Sequence, residues 1–315
     1  MEPIGALRRF IVGRRSTRVR PAKTAIVWLT HFHDPLAEEA FARLAAEAAP
    51  WGHVVQVRNG TGDLSAESGK NVILLGPEEV AAACPARHAE KSAEPAGKRG
   101  YADLIYMAVM ARLPAFEHVW ILEYDADFSG HWGAFFTEFT NCSADLLGAA
   151  FYPRALSLTW AHWKKFQAPP NVDPNFQTRG FFPVARISAR FRAAYLEEVQ
   201  NGWRGHCEAI WPSIALFRGL AIEDIGGEGP FVPPARRGRL YTGTDDPRLR
   251  AGTFRFRPRV AKSYHPASDA EFPPNHLCHP VKTAAYRAVR LRRKKQLQRA
   301  QAASLNRFFQ AERQG

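Results

Sequence analysis

Short apolar runs alternate with helix-like segments through the first part of the chain, and this alternation constrains the fold more than any other feature. The apolar runs lie at residues 25–29, 53–57, 72–75 and 119–122. Helix-compatible stretches lie between them, at 38–49 and 101–113. Strands that alternate with helices form mostly parallel sheets with helices on their faces. The sequence therefore predicts an α/β fold, and its 315 residues suffice for one large domain.

The second half of the chain is less regular. We predict helices at 131–139, 188–201 and 208–217. We predict strands at 145–151, 181–184 and 220–224. Residues 159–178 are rich in aromatic residues and proline, and they fit no standard element. Two further stretches are expected to lack regular structure. They are the Ala-, Pro- and Lys-rich residues 84–99 and the Gly-, Pro- and Arg-rich residues 226–280, which we expect to wrap the surface.

The net charge of +13 is concentrated at the two ends of the chain. Residues 1–23 carry +6 and residues 281–315 carry +9, whereas residues 24–280 carry −2. A nucleic-acid-binding fold more often carries its basic stripe on the folded domain, so nucleic acid is an unlikely partner. Polybasic segments are attracted to anionic membrane surfaces. We therefore predict a near-neutral core with basic termini that attach it to a membrane surface.

The cysteines and the hydropathy of the chain exclude several other classes. Its four cysteines show no C-x-x-C spacing, which argues against a structural zinc site or a disulfide scaffold. No run of about 18 apolar residues exists, and residues 1–22 lack the apolar core of a secretory signal. We expect a cytoplasmic protein, peripheral on the inner face of the membrane.

A cluster of acidic residues follows the most apolar predicted strand. The strand at 119–122 continues into Glu123, Asp125 and Asp127, and Ser129–Gly130 then turns the chain. In open α/β sheets, ligands bind beyond the carboxyl ends of the strands. If the chain stays extended, residues two apart face the same side. Such carboxylates can hold Mg²⁺ or Mn²⁺ against a diphosphate. The alternative is a solvated turn in which the aspartates accept local hydrogen bonds.

The placement of this Asp-x-Asp motif after the α/β pattern resembles glycosyltransferases of the GT-A fold. The resemblance covers roughly residues 24–282 and implies a Rossmann-like, mostly parallel sheet flanked by helices, with an irregular acceptor half. It further implies that Asp125 and Asp127 bind Mn²⁺ or Mg²⁺ and the diphosphate of a nucleotide-sugar donor. The acceptor would be a glycan or a lipid-linked glycan, as in polysaccharide biosynthesis. The implied organisation is a basic arm at 1–23, a catalytic domain with halves 24–130 and 131–282, and a basic helix or tail at 283–315.

The resemblance also implies a catalytic base. Glu208 lies at the head of a predicted helix in GHCEAIWPS, which is similar to the helix start of the branching N-acetylglucosaminyltransferase group. Cys207 stands where that group has an aspartate. In an inverting enzyme Glu208 would deprotonate the acceptor hydroxyl. The structural alternative is an acidic residue that stabilises a helix N-terminus, and a rival base is the pair Glu223–Asp224.

A third metal ligand and further donor contacts are implied in the same way. His279 matches the histidine that many GT-A proteins use near the end of the domain, with His265 and His276 as competitors. Lys282 would contact the diphosphate as a point charge. Thr30 and His31 directly follow the first predicted strand, and they occupy the place where these proteins contact the nucleotide.

Aromatic residues and one arginine are candidates for the acceptor side. Trp160, His162 and Trp163 form a possible platform on which a sugar stacks, and core packing is the alternative. Arg186, after a predicted strand, is a candidate acceptor contact.

Two other functional classes remain open at the level of sequence. A metal-dependent phosphohydrolase or nucleotidyltransferase would need further carboxylates at the acidic cluster, and Glu123 and Asp224 are the candidates. A non-enzymatic basic protein that binds membrane or nucleic acid is the other, and the acidic cluster in a near-neutral core argues against it.

Overall fold

The computed structural model describes residues 23–31, 35–59, 71–94, 102–243, 254 and 273–281. Most of the predicted basic arm, the predicted C-terminal helix, His265 and Lys282 lie outside these residues. The division of the domain at residue 130 into two halves also stays a prediction.

Strands and helices alternate through the first half as predicted. They are β1 (Thr24–Thr30), α1 (Pro35–Ala48), β2 (His53–Asn59), β3 (Val72–Leu75), α2 (Pro77–Ala83), α3 (Pro85–Ser92), α4 (Ala102–Arg112), β4 (His118–Glu123), β5 (Asp127–Phe128) and α5 (Trp132–Thr137). The remaining elements are β6 (Leu146–Pro153), β7 (Thr178–Ser188), α6 (Ala189–Gln200), α7 (Cys207–Phe217), β8 (Ile222–Asp224) and β9 (Leu277–Cys278). Short 3-10 turns occupy parts of the irregular segment, at Arg154–Leu156, Ala161–Lys165 and Pro174–Phe176.

One seven-stranded sheet organises the described residues, in the order β3-β2-β1-β4-β7-β6-β8. β7 runs antiparallel to both of its neighbours, and the other adjacent pairs are parallel. β5 and β9 form a separate two-stranded antiparallel pair. The prediction of an α/β fold with a mostly parallel sheet flanked by helices is confirmed.

Both faces of the sheet are covered, which explains why its central strands are apolar throughout. On β1, alternate side chains enter opposite cores. Val27 belongs to the same buried cluster as Tyr106 of α4, and Trp28 belongs to the same buried cluster as Phe135 of α5. On β4, the Trp120 ring lies 5.1 Å from the Phe139 ring. A strand buried on both faces loses the alternation of apolar and polar residues that marks a half-exposed strand.

Two expectations about irregular segments are wrong. Residues 85–92 form helix α3, which begins with Pro85 at its first position, where proline needs no backbone donor. Arg87 anchors this helix through a buried ion pair with Asp103, at 2.6 Å. The segment after residue 226 does not only wrap the surface, because Phe254 and Leu277 are buried in the core.

Across the parts of the chain that the structure describes, no helix has both the length and the apolar character needed to cross a membrane.

Candidate active site

The acidic segment begins where β4 ends and the backbone turns. The Ala126 N–H donates to the Glu123 carbonyl at 2.8 Å, which closes a turn between Glu123 and Asp127. The pairing of β5 with β9 aligns Asp127 with Cys278 and brings the following residue, His279, beside the turn. The Val281 N–H donates to the Asp125 carbonyl at 2.7 Å and fixes this approach.

Glu123, Asp125 and His279 form a group of three metal-ligating side chains. Their ligand atoms lie within 4.8 Å of one another. Nε2 of His279 is 3.5 Å from Oδ1 of Asp125 and 4.0 Å from Oε2 of Glu123. Two carboxylates and one imidazole form a donor set that suits Mn²⁺, and carboxylate oxygens also suit Mg²⁺. The structure thus brings together the predicted residues Asp125 and His279 and adds Glu123.

Buried aromatic side chains orient this group. The Tyr106 hydroxyl lies 3.1 Å from Oε1 of Glu123 and 2.9 Å from the Phe182 carbonyl. Burial and the nearby charge of Glu123 raise the pKa of Tyr106, so its hydroxyl remains protonated and can donate. The His279 ring packs edge-on against the Phe181 ring, with centroids 5.2 Å apart.

Asp127 has a different environment from that of Asp125. Its carboxylate forms an ion pair with Arg43 of α1 and accepts a hydrogen bond from the Phe128 N–H at 2.7 Å. Arg43 also donates to the carbonyls of Phe128 and Gly130, at 3.1 and 3.3 Å. The group of three does not include Asp127, whose carboxylate ties the turn to α1. The extended geometry that would place both aspartates on one side is interrupted by the turn at Glu123.

Glu208 lies at the start of α7 in a mostly buried position. Burial, reinforced by the charge of Glu123, raises the pKa of Glu208 to about 8, and Arg179 acts in the opposite direction. The influence of Glu123 shows that Glu208 lies near enough to the group of three for the two carboxyls to interact, because such an effect declines with separation. With this pKa, the Glu208 carboxyl gains or loses its proton near pH 8.

His206 caps the helix that carries Glu208. Its Nδ1 accepts a hydrogen bond from the Glu208 N–H at 3.3 Å, and this bond assigns the proton of the neutral ring to Nε2. Burial and the neighbouring His162 lower the pKa of His206 to about 3, so the ring is neutral in the physiological range. Just before this residue, the Gly205 carbonyl accepts a hydrogen bond from Arg87 of α3. The unpredicted helix α3 thus positions the start of α7.

The irregular aromatic segment at 159–178 contacts the start of α7. The His162 ring stacks on the His206 ring with centroids 4.0 Å apart. Trp160 packs edge-on against His162 at 4.9 Å. The third residue of the predicted platform, Trp163, is buried and donates from Nε1 to the Ser157 carbonyl at 2.8 Å. Trp160 and His162 therefore lie beside Glu208, whereas Trp163 serves the packing of the segment.

The two predicted nucleotide contacts lie at the same edge of the sheet. Thr30 ends β1 and is buried, and the exposed His31 follows it. The His31 ring lies 5.1 Å from the ring of Tyr124, which belongs to the acidic turn. These residues adjoin the group of three because β1 and β4 are parallel neighbours that end together.

The rival base Glu223–Asp224 is engaged elsewhere. The Asp224 carboxylate accepts hydrogen bonds from the N–H groups of Gly226 and Gly227 and from the Tyr241 hydroxyl. Glu223 pairs with Arg236 at 2.5 Å. A carboxylate that organises its own turn in this way is poorly placed to take a proton from a substrate or to hold a second metal ion.

Two further candidates also lie away from the group. Arg186 is buried and donates to the carbonyls of Cys142 and Ala144, at 2.6 and 3.1 Å. This environment contradicts the expectation that Arg186 contacts an acceptor. His276 is half-buried, and its Nδ1 lies 2.9 Å from the Pro274 carbonyl.

Sequence reasoning missed the roles of Arg43, Tyr106 and Arg179. Each is separated in sequence from the residue that it supports, and its spacing within its own element is unremarkable. One signal was present for Glu123, since it ends the buried strand that precedes the motif.

No protein-family model and no curated protein matches the chain. Matches among solved structures include several glycosyltransferases by name. They include the mannosyltransferase Ktr4p from S. cerevisiae in complex with GDP, at 12% identity and a TM-score of 0.34, covering 70% of this chain and 78% of that one. The mannosyltransferase PcManGT from Pyrobaculum calidifontis, in complex with GDP-Man and Mn²⁺, is 14% identical with a TM-score of 0.37, over 78% of this chain and 66% of that one.

The galactosyltransferase LgtC, in complex with donor and acceptor sugar analogs, is 12% identical with a TM-score of 0.34, over 65% of this chain and 76% of that one. Likeness this distant does not by itself assign an activity to the chain.

Proposed function

We propose that the protein is a glycosyltransferase that uses a divalent metal ion to transfer a sugar from a nucleoside-diphosphate donor to a hydroxyl of a glycan or glycolipid. The observation that carries the proposal is the group of Glu123, Asp125 and His279 at the carboxyl end of a central strand, opposite the raised-pKa carboxyl of Glu208. A metal-ligand set facing a proton acceptor supplies the two functions that this transfer needs.

In this proposal Asp125, His279 and Glu123 hold Mn²⁺ or Mg²⁺. Their donor atoms are close enough to converge on one ion, and their oxygen and imidazole chemistry fits Mn²⁺. When bound, the ion neutralises charge on the diphosphate of the donor. Asp127 is a further predicted ligand, and in the structure its carboxylate is held by Arg43.

Glu208 is the proposed base for the acceptor hydroxyl. A general base works best when its pKa lies near the working pH, and burial raises the pKa of Glu208 to about 8. The negative charge of Glu123 is one cause of this rise, so positive charge held at Glu123 favours the ionised form of Glu208. The cap from His206 keeps the helix start, and with it Glu208, in a fixed orientation.

The remaining parts of the site divide between donor and acceptor. We assign Thr30, His31 and Lys282 to the donor. Thr30 ends the strand beside β4 and His31 follows it. We assign Trp160 and His162 to the acceptor, because they lie next to Glu208 and present aromatic surface on which a sugar ring can stack.

Mass spectrometry of transfer products tests the proposal. The full chain is incubated with Mn²⁺, single nucleoside-diphosphate sugars and a panel of alkyl glycosides. We expect one donor to add a sugar mass to an acceptor, and Asp125→Asn and Glu208→Gln to abolish the gain. Glu78→Gln, at an exposed position on α2, is the matched control and should retain it. Cleavage of the donor to a nucleoside monophosphate and a sugar phosphate, without any glycoside gain, would instead support a phosphohydrolase.

A further inference from the structure

Two leucines project from the segment that leads into the proposed acceptor side. Leu156 is 65% exposed and Leu158 is 71% exposed. Among the described residues the next most exposed large apolar side chain is Leu36, at 37%. An isolated exposed leucine is ordinary on a protein surface, but two neighbouring ones on a single projection form an apolar tip.

The backbone that presents these leucines is well fixed. The Ser157 N–H donates to the Arg154 carbonyl at 2.8 Å, and the Ser157 carbonyl accepts from the Trp163 indole at 2.8 Å. The Arg154 guanidinium lies over the Trp163 ring at 5.3 Å and bonds to Oε1 of Gln177 at 2.6 Å. The exposure of the leucines is therefore built into an ordered turn.

The segment that carries the apolar tip contains basic residues and no acidic ones. No acidic residue occurs in the sequence between Asp145 and Asp173. Over the same stretch Lys164 and Lys165 are exposed just after the tip. Lys165 reaches Glu94 at 3.0 Å while its side chain remains 58% exposed. An apolar tip with a basic flank and no carboxylate of its own complements an anionic lipid surface, into which leucines insert while lysines stay among the head groups.

We propose that residues 154–165 form a lipid-contact surface that inserts Leu156 and Leu158 into an anionic phospholipid bilayer. This surface is distinct from the basic termini, and it does not rest on the proposed enzymatic activity. If that activity is correct, the position of His162 against His206 places the acceptor side next to the membrane, where a lipid-linked acceptor would be held.

Vesicle sedimentation of the full chain tests the surface. We expect binding to vesicles of phosphatidylcholine and phosphatidylglycerol that persists in part at high salt, because insertion of apolar side chains is not screened. The double change Leu156→Ser and Leu158→Ser should weaken the high-salt partition by about tenfold or more. The matched control Leu36→Ser should leave it unchanged. The double variant should keep the parent melting temperature, since Leu156 and Leu158 are mostly exposed.

A site-specific label gives a second measurement. The four native cysteines are all buried, so Leu158→Cys provides one accessible thiol for an environment-sensitive fluorophore. We expect a blue shift of its emission on addition of these vesicles and none for a label at Leu36→Cys. Absence of vesicle binding by the parent chain, or equal binding by the double variant, would overturn the proposal. Light scattering gives a third outcome that would overturn the proposal. If the double change only converts a dimer into a monomer, Leu156 and Leu158 form a contact between copies of the chain.

Discussion

Nε2 of His279 lies 3.5 Å from Oδ1 of Asp125, although the two residues are far apart in the sequence. They meet because β9 pairs with β5 immediately after the central strand β4. The pairing that closes this part of the fold therefore also completes the proposed ligand set. A loss of either side chain should affect metal binding without disturbing the sheet.

Mn²⁺ binding should depend on this contact. We expect Asp125→Asn and His279→Ala each to weaken Mn²⁺ binding by roughly tenfold or more, because each removes one of three converging ligands. Electron paramagnetic resonance of free Mn²⁺ measures the affinity directly. Glu78→Gln is the control and should bind as the parent does. Parent-like affinity in both site variants would show that the ion binds elsewhere.

The Arg43–Asp127 pair should act as one unit in stability. Removing either partner leaves the other without its ion pair in a partly buried place, at a cost of about 1–3 kcal/mol. We expect Arg43→Ala and Asp127→Asn to lower the free energy of unfolding, and the double variant to lose much less than their sum. Urea unfolding measures this double-mutant cycle.

The same two variants separate two roles for Asp127. If its carboxylate serves chiefly to tie the turn to α1, both should lower Mn²⁺ affinity to a similar extent. A tenfold or larger loss confined to Asp127→Asn would identify Asp127 as a direct ligand.

Activity should rise with pH as Glu208 ionises. Burial and the charge of Glu123 raise the pKa of Glu208 to about 8, and Mn²⁺ held at Glu123 opposes the second of these effects. We therefore expect kcat/KM to increase with pH and to level off at or below about pH 8. Glu208→Gln should lower kcat by about 10²–10⁴-fold and remove this limb of the profile. Initial rates at saturating Mn²⁺ provide the measurement. A variant with parent turnover would exclude Glu208 as the base.

Ionisation of Glu208 should lower the stability of the protein as pH rises, whereas it should raise the activity. In the folded protein Glu208 keeps its proton to about pH 8, whereas the unfolded chain loses it near the ordinary pKa of 4.5. Between these values the folded state binds more protons, so the free energy of unfolding falls as pH rises, by at most about 1.4 kcal/mol per pH unit. Glutamine cannot ionise and removes this penalty.

We therefore expect the melting temperature of Glu208→Gln relative to the parent to increase as pH rises from about 5 to about 8 and then to level off. Differential scanning calorimetry at matched ionic strength checks it. A difference that stays constant with pH would mean that Glu208 ionises normally.

The sequence predicted the sheet because its central strands are apolar on both faces. The runs at 25–29 and 119–122 coincide with β1 and β4, since burial on both sides demands unbroken hydrophobicity. Helix α3 was missed because the Ala-, Pro- and Lys-rich composition of residues 84–99 is typical of a loop, whereas Pro85 occupies the first turn of the helix, where proline is tolerated. The buried Arg87–Asp103 pair that holds this helix is a tertiary interaction, which local patterns do not encode.

For the site, the sequence located the acidic segment but not the direction of its side chains. A turn after Glu123 separates the environments of Asp125 and Asp127, and no residue type in the motif predicts this turn. His279 was selected among three histidines by resemblance alone, and its position beside Asp125 depends on the β5–β9 pairing. The ion pair of Asp127 comes from Arg43 on α1, a residue remote from the motif.

The proposed function requires the chain to bind a nucleotide sugar through a metal ion held at Asp125 and His279. A thermal-shift screen of UDP-, GDP-, CMP- and dTDP-sugars, with and without Mn²⁺, tests this requirement, because a ligand that binds only the folded state raises the melting temperature. We expect at least one nucleoside-diphosphate sugar to stabilise the parent only when Mn²⁺ is present, and Asp125→Asn to lose this effect while Glu78→Gln keeps it. If no nucleotide sugar shifts the melting temperature with Mn²⁺, or if Asp125→Asn shifts as the parent does, the protein does not bind a donor through a metal ion at Asp125.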